Sequence, residues 1–493
     1  MNPLKQLAGQ TAIYGLSSIV GRLLNYLLVP LYTRYFIPAE YGVVTELYAY
    51  VAFLVIILTY GLETAFFRFS QKQYDKSLVY STSLISLVVS SILFCFLMIS
   101  FQQPIANWLE YPNNPEYILW FALIIGLDAI SSISFAKLRE QKQAARFALI
   151  RLLNIFINIG LNLFFIIYCP YVLENNLPTN DFVNSIYDPT VGVGYIFIAN
   201  LFASVFTILM LLPEMIKASW KFNALLWKKM MIYALPLLIA GLAGITNETI
   251  DRVLLKHLLP DSIDKMAEIG IYGAFYKISI IMILFIQTFR FAAEPFFFAQ
   301  EKQYNSKKIY ADVLNYFSIL AALIFLVVML YLDVVIHFVG SAFHNEKGIT
   351  IVPILLMANL FLGIYYNLSV WYKLTEKTIY GAVLAIFGAL ITLLLNLILI
   401  PKIGFVGSAW ATLVCYFSMM VASLFLGRKH YPIPYDLKRI FLYIFLSFVL
   451  YKLSVFFNTT MLINTIYLVV FLLVVFVLEK SKKEVISEPK LFD

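Results

Sequence analysis

Long apolar stretches alternate with short charged segments along almost the whole chain. Nearly every apolar stretch reaches the roughly 20 residues that an α-helix needs to cross the hydrocarbon core of a bilayer. The pattern predicts an all-α polytopic membrane protein with about fourteen transmembrane helices. The predicted spans are residues 11–33, 43–66, 78–101, 116–135, 147–168, 191–212, 230–250, 269–289, 310–333, 349–372, 379–400, 405–426, 440–456 and 461–478.

Composition agrees with this interpretation. Of the 493 residues, 61% are hydrophobic and 13% are charged, whereas charged residues make up about a quarter of an average soluble protein. We expect no soluble domain, and we interpret the first apolar stretch as a retained helix, because it is too long for a signal peptide and lacks a cleavage site. The three cysteines and four histidines lie scattered without the spacing of a disulfide framework or a metal site. No metal and no cofactor are therefore expected.

The net charge of +8 could reflect nucleic-acid binding or membrane topology. Most of the 36 lysine and arginine residues lie in every second loop between the predicted spans, on the side that also carries both termini. Cytoplasmic loops of membrane proteins carry such an excess of positive charge. The charge distribution therefore predicts that both termini are cytoplasmic, and no nucleic-acid partner is expected.

Three short words recur in the same order in both halves of the chain, at a nearly constant spacing. The pairs are Ala39-Glu40-Tyr41-Gly42 with Ala267-Glu268-Ile269-Gly270, Glu63-Thr64-Ala65-Phe66-Phe67 with Glu294-Pro295-Phe296-Phe297-Phe298, and Leu161-Asn162-Leu163 with Leu395-Asn396-Leu397. Each match is weak by itself, but together they indicate a duplication of six helices. Because six is an even number, the two copies have the same orientation and are related by an axis along the membrane normal.

The repeat predicts the domain organisation. Residues 1–212 form an N-terminal six-helix lobe and residues 230–426 form a C-terminal six-helix lobe. Residues 213–229 form a basic cytoplasmic connector between them, and residues 427–493 add two further helices and a cytoplasmic tail. In such repeats, the substrate site lies near the bilayer midplane, where the two copies meet.

Arg22 lies near the middle of the first predicted span. An arginine at the centre of a membrane helix costs about 2.5 to 3.5 kcal/mol on the insertion scale, so it needs a polar partner or a hydrated cavity. Polar residues of this span recur every three or four positions, with one gap, along one side of a helix: Thr11, Tyr14, Ser18, Arg22, Asn25 and Tyr32. Arg22 and Asn25 are therefore candidate substrate-binding residues. The alternative is that Arg22 is only paired inside the helix bundle.

Two further cations are candidates for substrate binding. Lys277 lies deep in the eighth predicted span, and Arg290 lies at its end. With Arg22 they would make the predicted region between the lobes positively charged, which favours an anion such as phosphate. The alternative for Lys277 is that its side chain extends to the membrane surface.

The fourth and fifth predicted spans carry opposite charges, Asp128 and Arg151. We predict that they form either a coupling site, with Asp128 carrying an ion, or a structural ion pair. Arg151, Asn154, Asn158 and Asn162 share one face of the fifth span, where asparagines more often join helices than bind ligands. At the end of the seventh span, Asn247, Glu248, Asp251 and Arg252 form a mixed-charge cluster, which we interpret as an interface or a gate.

The N-terminal region carries a family resemblance. The segments Gln10-Thr11-Ala12, Gly21-Arg22, Pro30-Leu31-Tyr32 and Ile37-Pro38-Ala39-Glu40-Tyr41-Gly42 resemble the polysaccharide-transport, or oligosaccharide-lipid flippase, branch of the multidrug/oligosaccharidyl-lipid/polysaccharide exporter superfamily. The resemblance extends over the whole chain. It implies a two-lobed alternating-access transporter in a bacterial inner membrane. The implied substrate is a polyprenyl-pyrophosphate-linked oligosaccharide, which moves from the cytoplasmic to the periplasmic leaflet for O-antigen, capsule or exopolysaccharide synthesis.

The resemblance also implies a role for Arg22. Relatives that flip the peptidoglycan lipid precursor bind pyrophosphate with arginines of a central cavity, one of them on the first helix, and Arg22 lies on the corresponding helix. Expected partners are the lipid-linked oligosaccharide, membrane lipids, a proton or sodium as coupling ion, and glycan-assembly machinery. No catalytic residue and no enzymatic activity are expected.

Other functions remain open from the sequence. Within the superfamily they are a peptidoglycan lipid-precursor flippase and a cation-coupled multidrug exporter; the positive charge disfavours a cationic substrate. A membrane polymerase or glycosyltransferase would be expected to show a large periplasmic loop with arginines or an acidic catalytic motif. The longest outer loop, at about residues 169–190, contains neither lysine nor arginine.

Overall fold

The computed structural model describes residues 15, 19–71, 74–175, 180–301 and 303–487. Within these residues, helices and connecting loops account for the fold and no strand is present. Residues 19–26 are helical and are followed by a turn at Leu27. The later helices are α1 Leu28–Tyr35, α2 Pro38–Thr59, α3 Leu62–Ser70, α4 Lys76–Ser100, α5 Gln102–Trp108, α6 Glu116–Glu140, α7 Ala144–Leu163, α8 Cys169–Glu174, α9 Asn180–Ile186, α10 Gly194–Ile216, α11 Ala224–Leu258, α12 Lys265–Gln300, α13 Ser306–Leu330, α14 Leu332–Val335, α15 Glu346–Leu368, α16 Val370–Leu374, α17 Ile379–Ile403, α18 Phe405–His430, α19 Leu437–Phe456 and α20 Met461–Ser487.

Thirteen helical segments among the described residues are long and apolar enough to cross a membrane. They correspond one by one to the second through fourteenth predicted spans, so the predicted all-α polytopic fold is confirmed. The first predicted span, residues 11–33, lies partly outside the described residues, including Thr11, Tyr14 and Ser18 of its polar stripe.

The seventh span is longer than the sequence predicts. It was expected to end at residue 250, but α11 continues to Leu258 and contains 35 residues. Arg252 and Lys256, which hydropathy places in a loop, therefore lie on a helix and are buried. Hydropathy fails there because these side chains are covered by other helices of the protein, whereas a hydropathy window sees only the local sequence.

Side-chain caps explain where several helices begin. Glu40 accepts a hydrogen bond from the backbone N–H of Ile37 at 3.0 Å, directly before Pro38 starts α2. Asn223 caps α11 by accepting from the N–H of Leu226 at 2.9 Å, and Asn345 caps α15 by accepting from Gly348 at 2.6 Å. These polar residues separate one apolar stretch from the next.

The chain divides into two compact units, Met1–Gly273 and Ala274–Asp493. In the first unit, α6 packs against α4 and α10, α10 also packs against α7, and α11 packs against α2 and α3. In the second unit, α18 packs against α15 and α17, and α13 packs against α15, α19 and α20. The predicted lobes of residues 1–212 and 230–426 and the predicted connector stay predictions.

The last two membrane-spanning helices, α19 and α20, contact α13 through polar side chains within the second unit. Glu479 of α20 accepts hydrogen bonds from Asn315 of α13 at 2.9 Å and from Tyr443 of α19 at 2.6 Å. Further along the same helices, Asn464 donates to the carbonyl oxygen of Leu330 at 2.7 Å. The last two spans are thus integrated into this unit.

The second span is broken between α2 and α3. Tyr60 and Gly61 both have positive φ angles, 35° and 69°. Gly61 also lies close to α11, where an added β-carbon would be 3.0 Å from the carbonyl oxygen of Ala234. Conformation and space therefore both favour glycine at this position. The break reorients the chain so that α3 begins with Glu63 in its first turn.

The first pair of repeated words forms a close helix crossing. A β-carbon on Gly42 of α2 would lie 2.0 Å from the carbonyl oxygen of Met266, and one on Gly270 of α12 would lie 1.9 Å from the carbonyl oxygen of Pro38. The two helices thus approach each other backbone to backbone, each through the glycine of its own word. Small residues permit such contacts between membrane helices.

Replacing Gly42 with alanine should destabilise the protein by about 1–3 kcal/mol, because the new methyl group meets a backbone carbonyl that cannot rotate away. The matched control is Gly160→Ala, because Gly160 is an exposed helical glycine with open space around it. Thermal unfolding in detergent, followed by fluorescence-detected size-exclusion chromatography, measures both variants. A Gly42→Ala protein as stable as the control would contradict the crossing.

Candidate functional site

A polar cavity opens within the membrane-spanning helices of the first unit, with a volume of about 420 Å³. Five helices contribute to it: α2, α3, α6, α7 and α10. Its lining residues are Val55, Thr59, Glu63, Asp128, Ser131, Ser132, Phe135, Arg139, Phe147, Arg151, Asn154, Asn200, Ser204 and Thr207. We call this space the polar cavity. Its volume lies in the range of ligand-binding pockets, which is about 300–1,000 Å³.

An ion pair between Glu63 and Arg139 lines one part of the polar cavity. Glu63 lies in the first turn after the break in the second span, and Arg139 lies in the last turn of α6. The guanidinium group of Arg139 also lies 5.0 Å from the ring centre of Phe67. Both side chains remain partly exposed, at 33% for Arg139 and 39% for Glu63. A ligand in the cavity can therefore reach either charge.

Asp128 and Arg151, predicted as a coupling site or an ion pair, both line the polar cavity. Asp128 accepts a hydrogen bond from Ser204 at 2.8 Å. The guanidinium group of Arg151 lies 4.3 Å from the ring centre of Phe135, a cation–π arrangement. The structure brings the two residues to one site, and their predicted coupling or pairing stays a prediction.

The charge of Arg151 interacts with several other charges. Its electrostatic neighbours are Asp128, Arg139, Glu63 and Arg22. Arg22 itself has an exposed side chain, and the preceding Gly21 lies against Ile155 of α7, where an added β-carbon would be 2.5 Å from Cδ1. The first helix is thereby placed beside the helix that carries Arg151. Arg22 thus belongs to the electrostatic surroundings of the polar cavity.

Amide and hydroxyl groups complete the polar cavity. Asn154 donates to the carbonyl oxygen of Ala203 and to the hydroxyl of Thr207, both at 2.9 Å. Asn200 donates to the hydroxyl of Tyr48 at 2.7 Å. Asn162, outside the cavity, accepts from the hydroxyl of Tyr32 at 3.0 Å. These bonds connect separate helices, as the sequence predicts for the asparagines of the fifth span.

The remaining substrate-binding candidates lie elsewhere. Asn25 is exposed, and Lys277 is partly buried in the second unit. Arg290, also in the second unit, lies 3.5 Å from Glu294 and 4.0 Å from the ring centre of Tyr366. Glu294 forms a shorter ion pair, at 2.5 Å, with Lys373. Arg290 therefore shares a carboxylate with a second cation, and the predicted substrate contacts of Asn25, Lys277 and Arg290 stay predictions.

Each unit contains an ion pair at its second repeated word. Glu63 begins that word in the first unit and pairs with Arg139; Glu294 begins it in the second unit and pairs with Lys373. The third word shows the same correspondence: Asn162 donates to the carbonyl oxygen four residues earlier at 2.7 Å, and Asn396 does so at 2.8 Å. The duplication seen in the sequence extends to individual contacts.

Sequence reasoning missed several residues of the polar cavity. Asn200, Ser204 and Thr207 were not singled out, although their spacing places them on one face of α10, a signal that could have found them. Glu63 was noticed only as part of the repeat, and Arg139 only as a loop charge. In the described part of the chain, no group of His, Cys, Asp or Glu side chains could hold a metal ion.

Charge removal at the cavity ion pair should be non-additive. We expect Glu63→Gln and Arg139→Gln each to lower the free energy of unfolding. The double variant should lose about 0.5–3 kcal/mol less than the two single losses added together. The double-mutant cycle is measured by detergent-induced unfolding in mixed micelles. The same cycle on the pair Lys265–Asp261, in which the Asp261 side chain is 96% exposed, should give a smaller coupling. Additive effects at Glu63 and Arg139 would show that the pair contributes nothing.

Solved structures share this fold at low sequence identity. The Lipid II flippase MurJ, in an inward closed conformation, is similar with a TM-score of 0.72 and 15% identity, over 94% of this chain and 97% of that one. An inward-facing multidrug resistance MATE family transporter of the MOP superfamily is similar with a TM-score of 0.64 and 14% identity, over 85% and 94%. A MATE structure in complex with MaD3S has a TM-score of 0.59, at 14% identity over 87% and 96%. At these identities the likeness concerns the fold.

The sequence comparisons add the family. No curated protein sequence matches the chain. Residues 7–299 match the family described as polysaccharide biosynthesis protein. This match covers more than half of the chain, and it agrees with the fold of the MOP superfamily transporters and with the resemblance noted in the sequence. The protein is therefore a multi-pass membrane protein of transporter fold, and it belongs to the polysaccharide biosynthesis protein family.

Proposed function

We propose that this protein moves a polyprenyl-pyrophosphate-linked oligosaccharide from the cytoplasmic to the periplasmic leaflet of a bacterial inner membrane by alternating access. The product would serve O-antigen, capsule or exopolysaccharide synthesis. The observation that carries the proposal is the polar cavity, in which guanidinium, amide and hydroxyl groups meet inside membrane-spanning helices. Charged groups are rare within membrane helices because they are costly there, and where they occur they commonly mark substrate or ion pathways.

Arg22 and Arg151 suit the pyrophosphate. Guanidinium groups bind phosphate oxygens through two parallel hydrogen bonds, and they keep their charge at any physiological pH. Glu63 and Asp128 line the polar cavity together with Arg139 and Arg151, so Arg22 would supply the positive charge that these two pairs do not balance. Arg151 lines the polar cavity, and Arg22 is exposed beside its helix.

The oligosaccharide suits the remaining groups of the cavity. Sugar hydroxyls both donate and accept hydrogen bonds, as do the side chains of Asn154, Asn200 and Ser204. In this structure these three side chains donate to Thr207, Tyr48 and Asp128, respectively, at 2.7–2.9 Å. Exchanging such bonds for bonds to a sugar changes the net energy little, which suits a carrier that must bind and then release its substrate.

The prenyl chain would remain in the lipid, and transport requires no covalent bond to form or break. Within the proposal, both termini are cytoplasmic, a proton or sodium ion is the candidate coupling ion, and enzymes of glycan assembly are the expected partners. A peptidoglycan lipid-precursor flippase is the second candidate, because the Lipid II flippase MurJ shares the fold over 94% of this chain. That substrate presents the same lipid-linked pyrophosphate and differs in its glycan.

Arg22→Ala should abolish export of the lipid-linked glycan while the protein still inserts in the membrane, because the pyrophosphate loses a charged partner. Arg151→Ala should act in the same direction. The matched control is Arg34→Ala, because Arg34 is another exposed arginine, located at the end of α1, and it should retain export. Surface glycan and membrane protein levels are measured in a deletion strain carrying each variant. Retained export by Arg22→Ala would refute the assignment of this residue.

Deletion of the gene should cause one lipid-linked oligosaccharide to accumulate on the cytoplasmic side of the membrane. Mass spectrometry of the accumulated lipid identifies the glycan and separates the two candidates, because a peptidoglycan precursor differs in its sugars and carries a peptide. If no lipid-linked sugar accumulates and drug sensitivity changes instead, the proposed function is wrong.

A further inference from the structure

The most completely buried ion pair described lies in the first unit, away from the polar cavity. Lys256 of α11 and Glu46 of α2 are 3.2 Å apart, with side-chain exposures of 1% and 0%. Lys256 also donates to the carbonyl oxygen of Leu109, and Tyr111 donates to the same carboxylate oxygen of Glu46. Residues that are far apart in sequence thus meet in one cluster, which we call the buried latch: Glu46, Leu109, Tyr111 and Lys256.

The buried latch lies on helices that approach each other closely. Glu46 lies one turn after Gly42 on α2, and Gly42 forms the backbone crossing with α12. Between them, Thr45 faces Gly273 of α12, where an added β-carbon would be 3.1 Å from the β-carbon of Thr45. The latch therefore adjoins a tight contact between α2, from the predicted N-terminal lobe, and α12, from the predicted C-terminal lobe.

An ion pair is not the most stable way to hold α2 and α11 in permanent contact. Apolar side chains of similar volume would hold two helices at least as well, because a buried pair loses the hydration of both charges. One carboxylate oxygen of Glu46, Oε1, accepts no hydrogen bond among the described residues, so hydration is not fully replaced. The advantage of charges appears when the helices separate, since water then solvates both groups, whereas an apolar pair at the same positions would expose hydrophobic surface.

We propose that the buried latch is a reversible closure: Glu46 and Lys256 hold α2 and α11 together in this state and separate when this end of the transporter opens. The inference rests on the proposed function, because separation of the two predicted lobes is one step of alternating access. The predicted topology places this end of the helices at the periplasmic face. Leu109 and Tyr111, in the loop after α5, align the two charges.

Cysteine labelling tests the closure without any substrate. Ala49 is buried on α2, three residues after Glu46, and the reporter is Ala49→Cys in a protein whose three native cysteines are replaced by serine. We expect a membrane-impermeant maleimide, added from the predicted periplasmic face, to react slowly with the reporter. Glu46→Gln and Lys256→Gln should each accelerate labelling at least about tenfold. Lys256→Gln leaves Glu46 without its cation, and Glu46→Gln leaves Lys256 with only the more distant carboxylate of Glu110, at 4.0 Å and 68% exposed.

Two variants complete the labelling experiment. The double variant Glu46→Leu with Lys256→Met leaves no buried charge and should restore slow labelling. Lys265→Gln, which breaks the exposed pair with Asp261 near the same end, should leave labelling unchanged. Labelling at the native rate in folded Glu46→Gln and Lys256→Gln proteins would overturn the proposal, as would acceleration that the apolar double variant fails to correct. These outcomes do not depend on which substrate is carried, so they are separate from a failure of the proposed function.

A disulfide tests whether the closure must open during transport. In the double variant Thr45→Cys with Gly273→Cys, the two β-carbons would lie 3.1 Å apart, slightly closer than the roughly 3.5–4.5 Å between the β-carbons of a disulfide. Oxidation should therefore cross-link α2 to α12. We expect export to be lost on oxidation and restored by a reductant. Two controls should keep their export under the same oxidant: Thr45→Cys alone, and Gly273→Cys combined with Thr45→Ala. The alanine removes Oγ1 and Cγ2 of Thr45, which a β-carbon at position 273 would meet at 2.5 and 2.7 Å. Export by the cross-linked protein at its reduced rate would show that separation is not part of the cycle.

Discussion

The cost of placing charge inside a membrane governs the architecture of this protein. A charged side chain within a transmembrane helix needs a counter-charge, an aromatic face or water. Here Arg139 has Glu63, Lys373 has Glu294, and Lys256 has Glu46. Each partnership joins two different helices, so the charges determine which helices must be neighbours. Hydrophobicity alone cannot select neighbours in this way, because lipid is as apolar as leucine.

Each pair of recurring sequence words corresponds to a specific contact in the structure. In the first pair of words, the glycines of α2 and α12 face each other; in the second pair, a leading glutamate binds a cation of its own unit. In the third pair, an asparagine bonds back to its own helix. The recurring words therefore lie at a helix crossing, at ion pairs between helices and at one bond within a helix, whereas the apolar residues between them do not recur.

Local hydropathy predicts the spans because every turn of a lipid-facing helix must be apolar, and thirteen of the predicted spans are present among the residues that the structure describes. It does not predict pairing. Nothing in the local sequence of Lys256 distinguishes a buried cation from a loop residue, because its partner Glu46 lies far away in the sequence. For the same reason local hydropathy places Arg139 in a loop, whereas the position of Asp128 and Arg151 within apolar runs identifies both as membrane charges. Periodicity on α10 was available and would have added Asn200, Ser204 and Thr207.

The break at Tyr60 and Gly61 has a consequence for how such carriers can diverge. Backbone conformation, with two successive positive φ angles, determines where α3 begins and hence where Glu63 lies. Position 63 therefore faces the polar cavity whatever side chain it carries, and a substitution of Glu63 changes the chemistry of the cavity without moving the start of α3. A bent span thus lets the cavity-facing side chain of this helix vary independently of the helix path.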